Sequence, residues 1–368
     1  MSGLKTYYDV AIAGAGPAGS ILAARLARAG ADTLLVEASG FEGPRAGEFL
    51  SPQARSMINR SEILPTGWER RHQPIHEFTG SWGSAQRFAR DFIFEAQGHA
   101  LALDRASFDR ELAEAAALHG ATLETHAKVC TAERHGGEWT IGIERGAEHC
   151  SVRAGFIVVC CGRNGMIQGI PTRRQRLDRL FCLGLRMGNC PGDIGASIES
   201  YARGWAYSVK LESGELVVNV CTESAGQRRQ FGSVEALLEE LAHCPIAAAR
   251  VLSCQAMSAS DVSLFAADAS SAVSRPAAGE GWRMAGDCAQ SMDPLSAGGI
   301  MSALDHAEMI LDDFTRAKSL RDAEFGVYCA RLDDNYRNYL TARRRFYGME
   351  KRWASPFWEK RREEIALP

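Results

Sequence analysis

Six residues near the N-terminus have the spacing of a phosphate-binding loop. Gly14-Ala15-Gly16-Pro17-Ala18-Gly19 fits GxGxxG and lies between an apolar run and a stretch with helical spacing. In such a loop the first glycine permits the turn, the second admits a pyrophosphate and the third lets helix and strand approach. Glu37, eighteen residues later, can accept hydrogen bonds from a ribose diol. The pattern predicts a dinucleotide site formed by Gly14, Gly16, Pro17, Ala18, Gly19, Glu37 and Ala38.

A second glycine-rich segment follows far along the chain. It comprises Gly286-Asp287 and residues 293–300, DPLSAGGI. Asp287 can bond ribityl hydroxyls, and the Gly298-Gly299 turn can direct amides toward the flavin N1 and O2 edge, where negative charge grows on reduction. With the first loop it favours FAD over NAD. The contacts predicted from this segment are Gly286, Asp287, Pro294, Ala297, Gly298, Gly299 and Ile300.

The elements around the first loop form a βαβ unit. A strand over Tyr8–Ala13, a helix from Pro17 and a strand over Asp32–Glu37 predict a parallel sheet. A further helix is expected over residues 105–119, an antiparallel meander over 128–153 with a turn at Gly136-Gly137, and a buried strand over 154–161.

The middle of the chain is strand-rich. A hairpin is expected at Glu212–Glu215, then a helix over Val234–Ala242 and a strand-like stretch, while the last sixty residues are mostly helical. We expect an α/β (α+β) fold, with a Rossmann-like FAD-binding domain, an interleaved β-rich substrate domain and a helical C-terminal region. The expected boundaries are 1–75, 100–170 and 275–315 for the first, 76–99 and 171–274 for the second, and 316–368 for the third.

Composition excludes several classes of function. The 368 residues are 46% apolar with a formal net charge of −3, which gives no electrostatic reason for nucleic-acid binding. Apolar runs are too short to span a membrane and the first residues lack a leader pattern, so we expect a cytoplasmic protein. The eleven cysteines contain no CxxC and are expected to be reduced, buried thiols. No metal site is predicted from the nine histidines.

These motifs resemble those of flavoprotein monooxygenases of the para-hydroxybenzoate hydroxylase type, in the branch that includes flavin-dependent halogenases and geranylgeranyl reductases. Residues 44–48, PRAGE, look like the segment that lies along FAD there, and Leu103-Asp104-Arg105 looks like an Arg-bearing helix start. Residues 159–163 resemble the second nucleotide strand, with Cys160 and Cys161 in place of the usual residues. The resemblance implies FAD contacts from Arg45, Gly47, Glu48, Arg105, Val129 and Gly162.

Three further stretches resemble a smaller group. They are Ser81-Trp82-Gly83, residues 204–208 (GWAYS) and the tail 343–361. The group contains maturation flavoproteins that oxygenate tryptophan side chains of a precursor protein during tryptophylquinone biogenesis. The substrate implied is an aromatic small molecule or a protein-borne ring.

The resemblance implies three chemistries. In a monooxygenase a flavin C4a-hydroperoxide is the electrophile, so the protein mainly positions the ring and excludes water. Trp82, Trp205 and Tyr207 are candidate substrate contacts, or else core aromatics; Glu48 and His99 are possible polar groups, and no catalytic acid or base is assigned. A halogenase is disfavoured, because no lysine occurs between Lys5 and Lys128 and WxWxIP is missing. The other alternative is an alkene reductase. Electrons would come from NAD(P)H directly or through a separate flavin reductase.

Overall fold

The computed structural model describes residues 4–43, 45–163, 165–192, 195–223, 233–254, 261–317 and 324–363, with residues 365 and 367. Pro44, the first residue of the PRAGE segment, lies outside this set. The strands are Tyr7–Ala13 (β1), Thr33–Val36 (β2), Phe49–Leu50 (β3), Gln73–Ile75 (β4), Glu77–Ser81 (β5), Phe88–Asp91 (β6), Ala100–Ala102 (β7), Thr122–Glu124 (β8), Lys128–His135 (β9), Glu138–Arg145 (β10), Glu148–Val159 (β11), Arg173–Arg176 (β12), Phe181–Met187 (β13), Ala196–Tyr201 (β14), Gly204–Lys210 (β15), Leu216–Thr222 (β16), Val262–Asp268 (β17), Ala272–Arg275 (β18), Ala278–Gly279 (β19), Trp282–Met284 (β20) and Gln290–Ser291 (β21).

The α-helices pack against and between these strands. They are Pro17–Arg28 (α1), Pro52–Ser61 (α2), Arg105–Leu118 (α3), Val234–Leu241 (α4), Pro245–Ser253 (α5), Gly299–Ala317 (α6), Phe325–Met349 (α7) and Pro356–Arg362 (α8). Short 3₁₀ turns cover Trp68–Arg71, Phe92–Phe94, Gly286–Cys288 and Pro294–Ser296.

An eight-stranded mixed sheet carries the N-terminal loop. Its strand order is β19-β20-β11-β1-β2-β8, and β10 and β9 continue from β11. The pairs of β1 with β2 and with β11 are parallel, which confirms the predicted βαβ unit. The predicted meander is confirmed as the antiparallel β9, β10 and β11. Residues 154–159 of β11 are all buried, as expected for a parallel strand covered by helices on both faces.

A seven-stranded sheet forms the second layer. Its order is β17-β13-β16-β15-β14-β5-β6, and its pairs are antiparallel except for β14 with β5. Because β5 and β6 precede the rest of the sheet by about a hundred residues, the sheet interrupts the nucleotide-binding segments. We retain the three-part domain division as a proposal supported by this interleaving.

Helix α5 is not among the elements predicted from the sequence. After α4 the sequence suggested a strand-like stretch, whereas residues 245–253 are helical and β17 follows only at Val262. Pro245 occupies the first helical turn, where its missing N–H has no cost, and Ala-rich sequence follows it.

Four cysteines overturn the expectation of reduced thiols. Cys182 is bonded to Cys221, and Cys190 is bonded to Cys254. Cys182 and Cys221 lie opposite each other on the antiparallel β13 and β16, with Cα atoms 4.2 Å apart. Strand register makes Cys182 and Cys221 neighbours, which spacing along the chain could not reveal.

No helix in the described part of the chain is long and apolar enough to cross a membrane. The described residues also contain no group of three or more His, Cys, Asp and Glu side chains that could hold a metal ion.

Candidate active site

A single cavity of about 920 Å³ is lined by both glycine-rich segments and by the seven-stranded sheet. Two separate regions of sequence therefore face one space. Of the residues predicted to contact cofactor or substrate, Gly19, Gly298 and Trp82 lie outside its wall. Those that line it are Gly14, Gly16, Pro17, Ala18, Glu37, Ala38, Arg45, Gly47, Glu48, Arg105, Val129, Gly162, Trp205, Tyr207, Gly286, Asp287, Pro294, Ala297, Gly299 and Ile300.

The N-terminal loop has three glycines with three different constraints. Gly14 has φ +102°, and a Cβ there would lie 2.3 Å from the Cys160 carbonyl oxygen. A Cβ on Gly19 would lie 2.0 Å from the Gly14 carbonyl oxygen, whereas one on Gly16 would meet no atom within 4 Å. Gly14 and Gly19 thus permit close packing, and Gly16 leaves space on the cavity side. This is the arrangement that a pyrophosphate at a helix N-terminus requires.

Glu37 bridges the loop and the neighbouring segment. Its Oε2 accepts a hydrogen bond of 2.8 Å from the Ala15 amide, and its Oε1 accepts one of 2.6 Å from the Ser39 hydroxyl. Because a carboxylate oxygen has two acceptor positions, Oε2 keeps one for a sugar hydroxyl. The geometry fits the predicted ribose contact.

A buried ionic network holds the 45–48 segment against α3. Asp109, 1% exposed, accepts hydrogen bonds from Arg45 at 2.9 Å and from Arg105 at 3.1 Å. Arg105 also donates to the Ala46 carbonyl at 2.8 Å, and a Cβ on Gly47 would lie 2.6 Å from its guanidinium. The resemblance identified Arg45 and Arg105; their shared carboxylate was left out of the predicted contacts, although it stands four residues after Arg105.

The second loop is held from behind by α6. The Gly286 amide donates to Nδ1 of His306 at 3.0 Å, and Asp287 pairs with Arg163 at 3.1 Å. Burial lowers the pKa of His306 to about 4, so its imidazole is neutral and Nδ1 remains an acceptor at neutral pH. Ala297 has a left-handed conformation, and α6 begins two residues later.

Asp293 connects this loop to the C-terminal helices. Its carboxylate accepts a hydrogen bond of 2.7 Å from the Tyr347 hydroxyl, and its amide donates to the Tyr339 hydroxyl at 2.7 Å. Arg343 and Arg361 lie 3.6 and 3.5 Å from the same carboxylate. Both arginines also pair with Asp178, at 2.7 and 3.3 Å, so two buried cations face two carboxylates next to the cavity.

The seven-stranded sheet supplies the other wall. Trp205 and Tyr207 alternate on β15, and Asn219 and Cys221 alternate opposite them on β16, so all four face the cavity. The Trp205 ring is fixed, because its N–H donates to the Tyr347 hydroxyl at 3.0 Å.

Two predicted polar or aromatic groups lie elsewhere. Trp82 packs edge-on against Tyr347 and Trp358 and donates to the Phe346 carbonyl at 2.8 Å, so it belongs to the core behind the wall. His99 contacts the Arg55 guanidinium at 2.6 Å and is outside the cavity wall. Of the two roles expected for Trp82, its position fits that of a core aromatic.

Sequence reasoning missed much of the apolar lining. Phe49, Phe78, Ile198, Leu295 and Phe346 line the cavity but come from five separate elements. No local spacing links them. Cys160 and Cys161 also line the cavity, and burial raises the pKa of the Cys161 thiol to about 11, which keeps it protonated.

Comparisons with known proteins agree with this architecture. Residues 7–180 match the FAD binding domain family. The chain is 26% identical to LodB of Marinomonas mediterranea, named as an FAD-dependent oxidoreductase, over 98% of each chain.

Two solved structures share the fold over nearly the whole chain. The myxobacterial FAD-dependent halogenase CndH superposes with a TM-score of 0.84 at 20% identity, covering 98% of this chain and 86% of its own. The peptidyl tryptophan dihydroxylase QhpG, essential for tryptophylquinone cofactor biogenesis, superposes with a TM-score of 0.78 at 22% identity, covering 98% and 80%. The domain match over residues 7–180 and the similarity to LodB along the full chain, together with the cavity that both glycine-rich segments line, identify the protein as an FAD-dependent oxidoreductase.

Proposed function

We propose that this enzyme is a monooxygenase that hydroxylates an indole or phenol ring, and that the ring is a tryptophan side chain of a precursor protein. The observation that carries the proposal is the continuity of the cavity, which runs from the phosphate-binding loop to an aromatic wall. The similarity to LodB along the full chain and the fold shared with QhpG support it.

The described residues fit FAD at both ends of the cavity. Gly14, Gly16 and Glu37 would hold the pyrophosphate and the ribose, because Gly16 leaves space and Glu37 Oε2 keeps an acceptor position. Gly286, Asp287 and residues 297–300 would hold the flavin end. When bound, FAD supplies the redox and oxygen-activating chemistry.

The protein's own contribution is to orient the ring and exclude water. Phe78, Ile198 and Trp205 give an apolar wall, and the hydrogen bond from Trp205 to Tyr347 fixes one ring of that wall. A fixed apolar wall restricts the poses of a flat substrate and lowers the entropy lost in reaching the reactive geometry. No described side chain needs to act as a nucleophile in this scheme.

The mouth of the cavity supports a protein-borne ring. Phe346 lines the cavity and is also 47% exposed, and the exposed Arg90 lines it as well. A tryptophan on a protein surface would pass these residues without the rest of its chain entering the cavity. A small free ring would use the same route.

The single lysine among the lining residues does not favour halogenation. Lys128 stands beside Val129, and the Ala127 amide bonds to the Glu37 carbonyl at 2.9 Å, so Lys128 lies at the dinucleotide end. A lysine that transfers halogen would have to lie at the substrate end. We therefore propose that the protein shares the fold of CndH but not its halogenation chemistry.

The test is isotope incorporation from dioxygen. The holoenzyme is supplied with ¹⁸O₂, a reductant and either N-acetyltryptophanamide or a tryptophan-containing peptide, and products are measured by mass spectrometry. We expect a gain of one or two ¹⁸O atoms. A gain of two hydrogens, a gain of halogen in added halide, or oxygen derived only from water overturns the proposal.

The source of electrons is tested in the same assay. Parallel reactions contain NADH or NADPH alone, or either with an added flavin reductase. Oxygenation with the nucleotide alone would assign direct reduction to this chain. A requirement for the added enzyme would assign reduction to a partner.

A further inference from the structure

Two buried oxygen atoms at the substrate end of the cavity lack a partner. The Glu48 carboxylate and the Tyr207 phenol both line the cavity, and neither Glu48 Oε1 nor Tyr207 Oη has a hydrogen-bond partner in the described part of the chain. Glu48 is only 2% exposed. A buried polar atom without a partner costs about 1–3 kcal/mol, so its position on a cavity wall indicates that a ligand completes the bond.

The rest of the Glu48 carboxylate is already fixed. Its Oε2 accepts a hydrogen bond of 3.1 Å from the Gly47 amide, and the Glu48 carbonyl accepts one of 2.6 Å from the Leu103 amide. These bonds hold the side chain and backbone, which leaves Oε1 as an acceptor of defined position. Glu48 precedes β3, whose Phe49 is part of the apolar wall.

The charges around the pair define what each atom can do. Burial raises the pKa of Glu48, and the nearby Arg186 and Arg105 guanidiniums offset part of that rise. Burial raises the pKa of Tyr207 well above its usual range, and the Glu48 carboxylate raises it further. Tyr207 is therefore a neutral phenol within electrostatic reach of Glu48, so the pair offers one acceptor and one donor.

We infer that Glu48 and Tyr207 form a substrate-recognition pair that selects aromatic rings bearing a polar hydrogen, with Glu48 Oε1 accepting the hydrogen bond of the ring N–H or O–H. This inference rests on the proposed oxygenation of an aromatic ring. Through this hydrogen bond the site distinguishes indole and phenol from hydrocarbon rings that have no N–H or O–H. Glu48 is therefore a specificity-determining residue. The Tyr207 hydroxyl is the donor for an oxygen carried by the ring.

The carboxylate also favours reaction of the ring that it binds. As a ring carbon gains oxygen, positive charge develops on the ring and on the attached heteroatom, which makes the N–H or O–H a stronger donor. The hydrogen bond to Glu48 Oε1 strengthens accordingly. Recognition and activation thus use the same contact.

The test compares indole with indene, which has nearly the same shape and no N–H. Binding to the oxidised holoenzyme is followed through the absorbance of bound FAD, without turnover. We expect the wild-type protein to bind indole more tightly and Glu48→Leu to lose roughly 10- to 100-fold in indole affinity with indene affinity unchanged, as expected for about 1.4–2.8 kcal/mol. Glu48→Gln, which retains a weaker acceptor, is expected to lie between them and serves if Glu48→Leu does not fold.

The controls separate substrate recognition from cofactor binding. FAD content and the FAD dissociation constant are measured for each variant, and Tyr207→Phe is expected to retain the preference for indole over indene. The inference is overturned if the wild-type protein binds no indole, if both ligands weaken equally, or if Glu48→Gln loses FAD instead of indole affinity. If the wild-type protein prefers indole over indene but incorporates no ¹⁸O, the monooxygenase proposal is wrong while the recognition of the N–H by Glu48 stands.

Discussion

The Tyr347 hydroxyl donates a hydrogen bond of 2.7 Å to Oδ2 of Asp293 and accepts one of 3.0 Å from the Trp205 indole N–H. One phenol on a C-terminal helix therefore connects the flavin-side loop to the substrate-side wall. Neither residue is near Tyr347 in sequence, and both line the cavity. The relative position of the two halves of the site depends on this side chain.

Tyr347→Phe is expected to weaken this connection. The Trp205 N–H would lose its acceptor in a buried position, and Asp293 would lose its donor, so we expect a decrease of about 1–3 kcal/mol in the free energy of unfolding in urea. FAD affinity should fall as well. Tyr8→Phe is the matched control, since the buried Tyr8 hydroxyl accepts a bond of 3.1 Å from the Lys5 amide away from the cavity. Equal loss of FAD affinity in both variants would contradict the assignment.

Alanine at Gly16 should weaken FAD binding, whereas alanine at Gly19 should destabilise the fold. The new methyl at Gly16 enters the cavity without touching protein, so we expect FAD affinity to fall by roughly tenfold or more, about 1.4 kcal/mol, with little change in Tm. The methyl at Gly19 meets the Gly14 carbonyl oxygen and should lower Tm directly. Tm of the apoprotein and FAD titrations check both. A Gly16 variant that retains normal FAD affinity would place the pyrophosphate elsewhere.

Asp109→Ala should be strongly destabilising. It leaves Arg45 and Arg105 without their shared buried anion, so we expect a loss of about 3–5 kcal/mol in denaturant unfolding. Asp334→Ala is the control, because the Asp334–Arg337 pair is 2.6 Å long but largely exposed, and its loss should cost under about 1 kcal/mol. Equal losses in the free energy of unfolding for the two variants would show that the buried ion pairs of Asp109 contribute no more than an exposed pair.

His306 should make stability fall between pH 6.5 and pH 4. Burial lowers its pKa from 6.5 to about 4, so in this range the unfolded chain binds a proton that the folded chain does not. The contribution of His306 to the free energy of unfolding is fully present above pH 6.5. It decreases as the pH falls, by at most about 3 kcal/mol for this difference between the unfolded and folded pKa values. Protonation would also remove the acceptor for the Gly286 amide.

The measurement for His306 is a difference between two proteins. Urea unfolding of wild type and His306→Asn at pH 4, 5, 6 and 7 cancels the carboxylates that titrate in both. The wild-type curve should lose more stability on acidification than that of the variant. Parallel curves would rule out a buried neutral imidazole.

The sequence predicted the parts of the fold that depend on local pattern. The Gly14–Gly19 loop, its flanking strand and helix, and the turn at Gly136-Gly137 follow from short-range spacing, and the structure has them there. The Cys182–Cys221 bond depends on strand register, and the hydrogen bond from Tyr347 to Asp293 depends on helix docking. In each case the two residues are far apart in sequence, so no short-range pattern predicts the contact.

The division of the predicted aromatics has the same origin. Alternation along β15 brings Trp205 and Tyr207 to one face, whereas Trp82 lies behind that wall because α7 and α8 pack over it. Residue type alone could not separate these positions. The separation required the tertiary packing of the C-terminal helices.

The dependence of the ligand site on Gly14 and Asp287, and on Tyr347 behind its wall, also has a consequence for biosynthesis. A ribosome adds 333 residues between the first and the last of these, which takes roughly 15–70 seconds at ~5–20 residues per second. Until Asp287 and residues 297–300 are added, the nascent polypeptide has only the phosphate-binding end of its ligand site, and until Tyr347 is added it lacks the side chain that connects the two halves of that site. We therefore expect FAD to be captured after release of the completed chain, so that the supply of FAD to newly made protein governs how much of it matures.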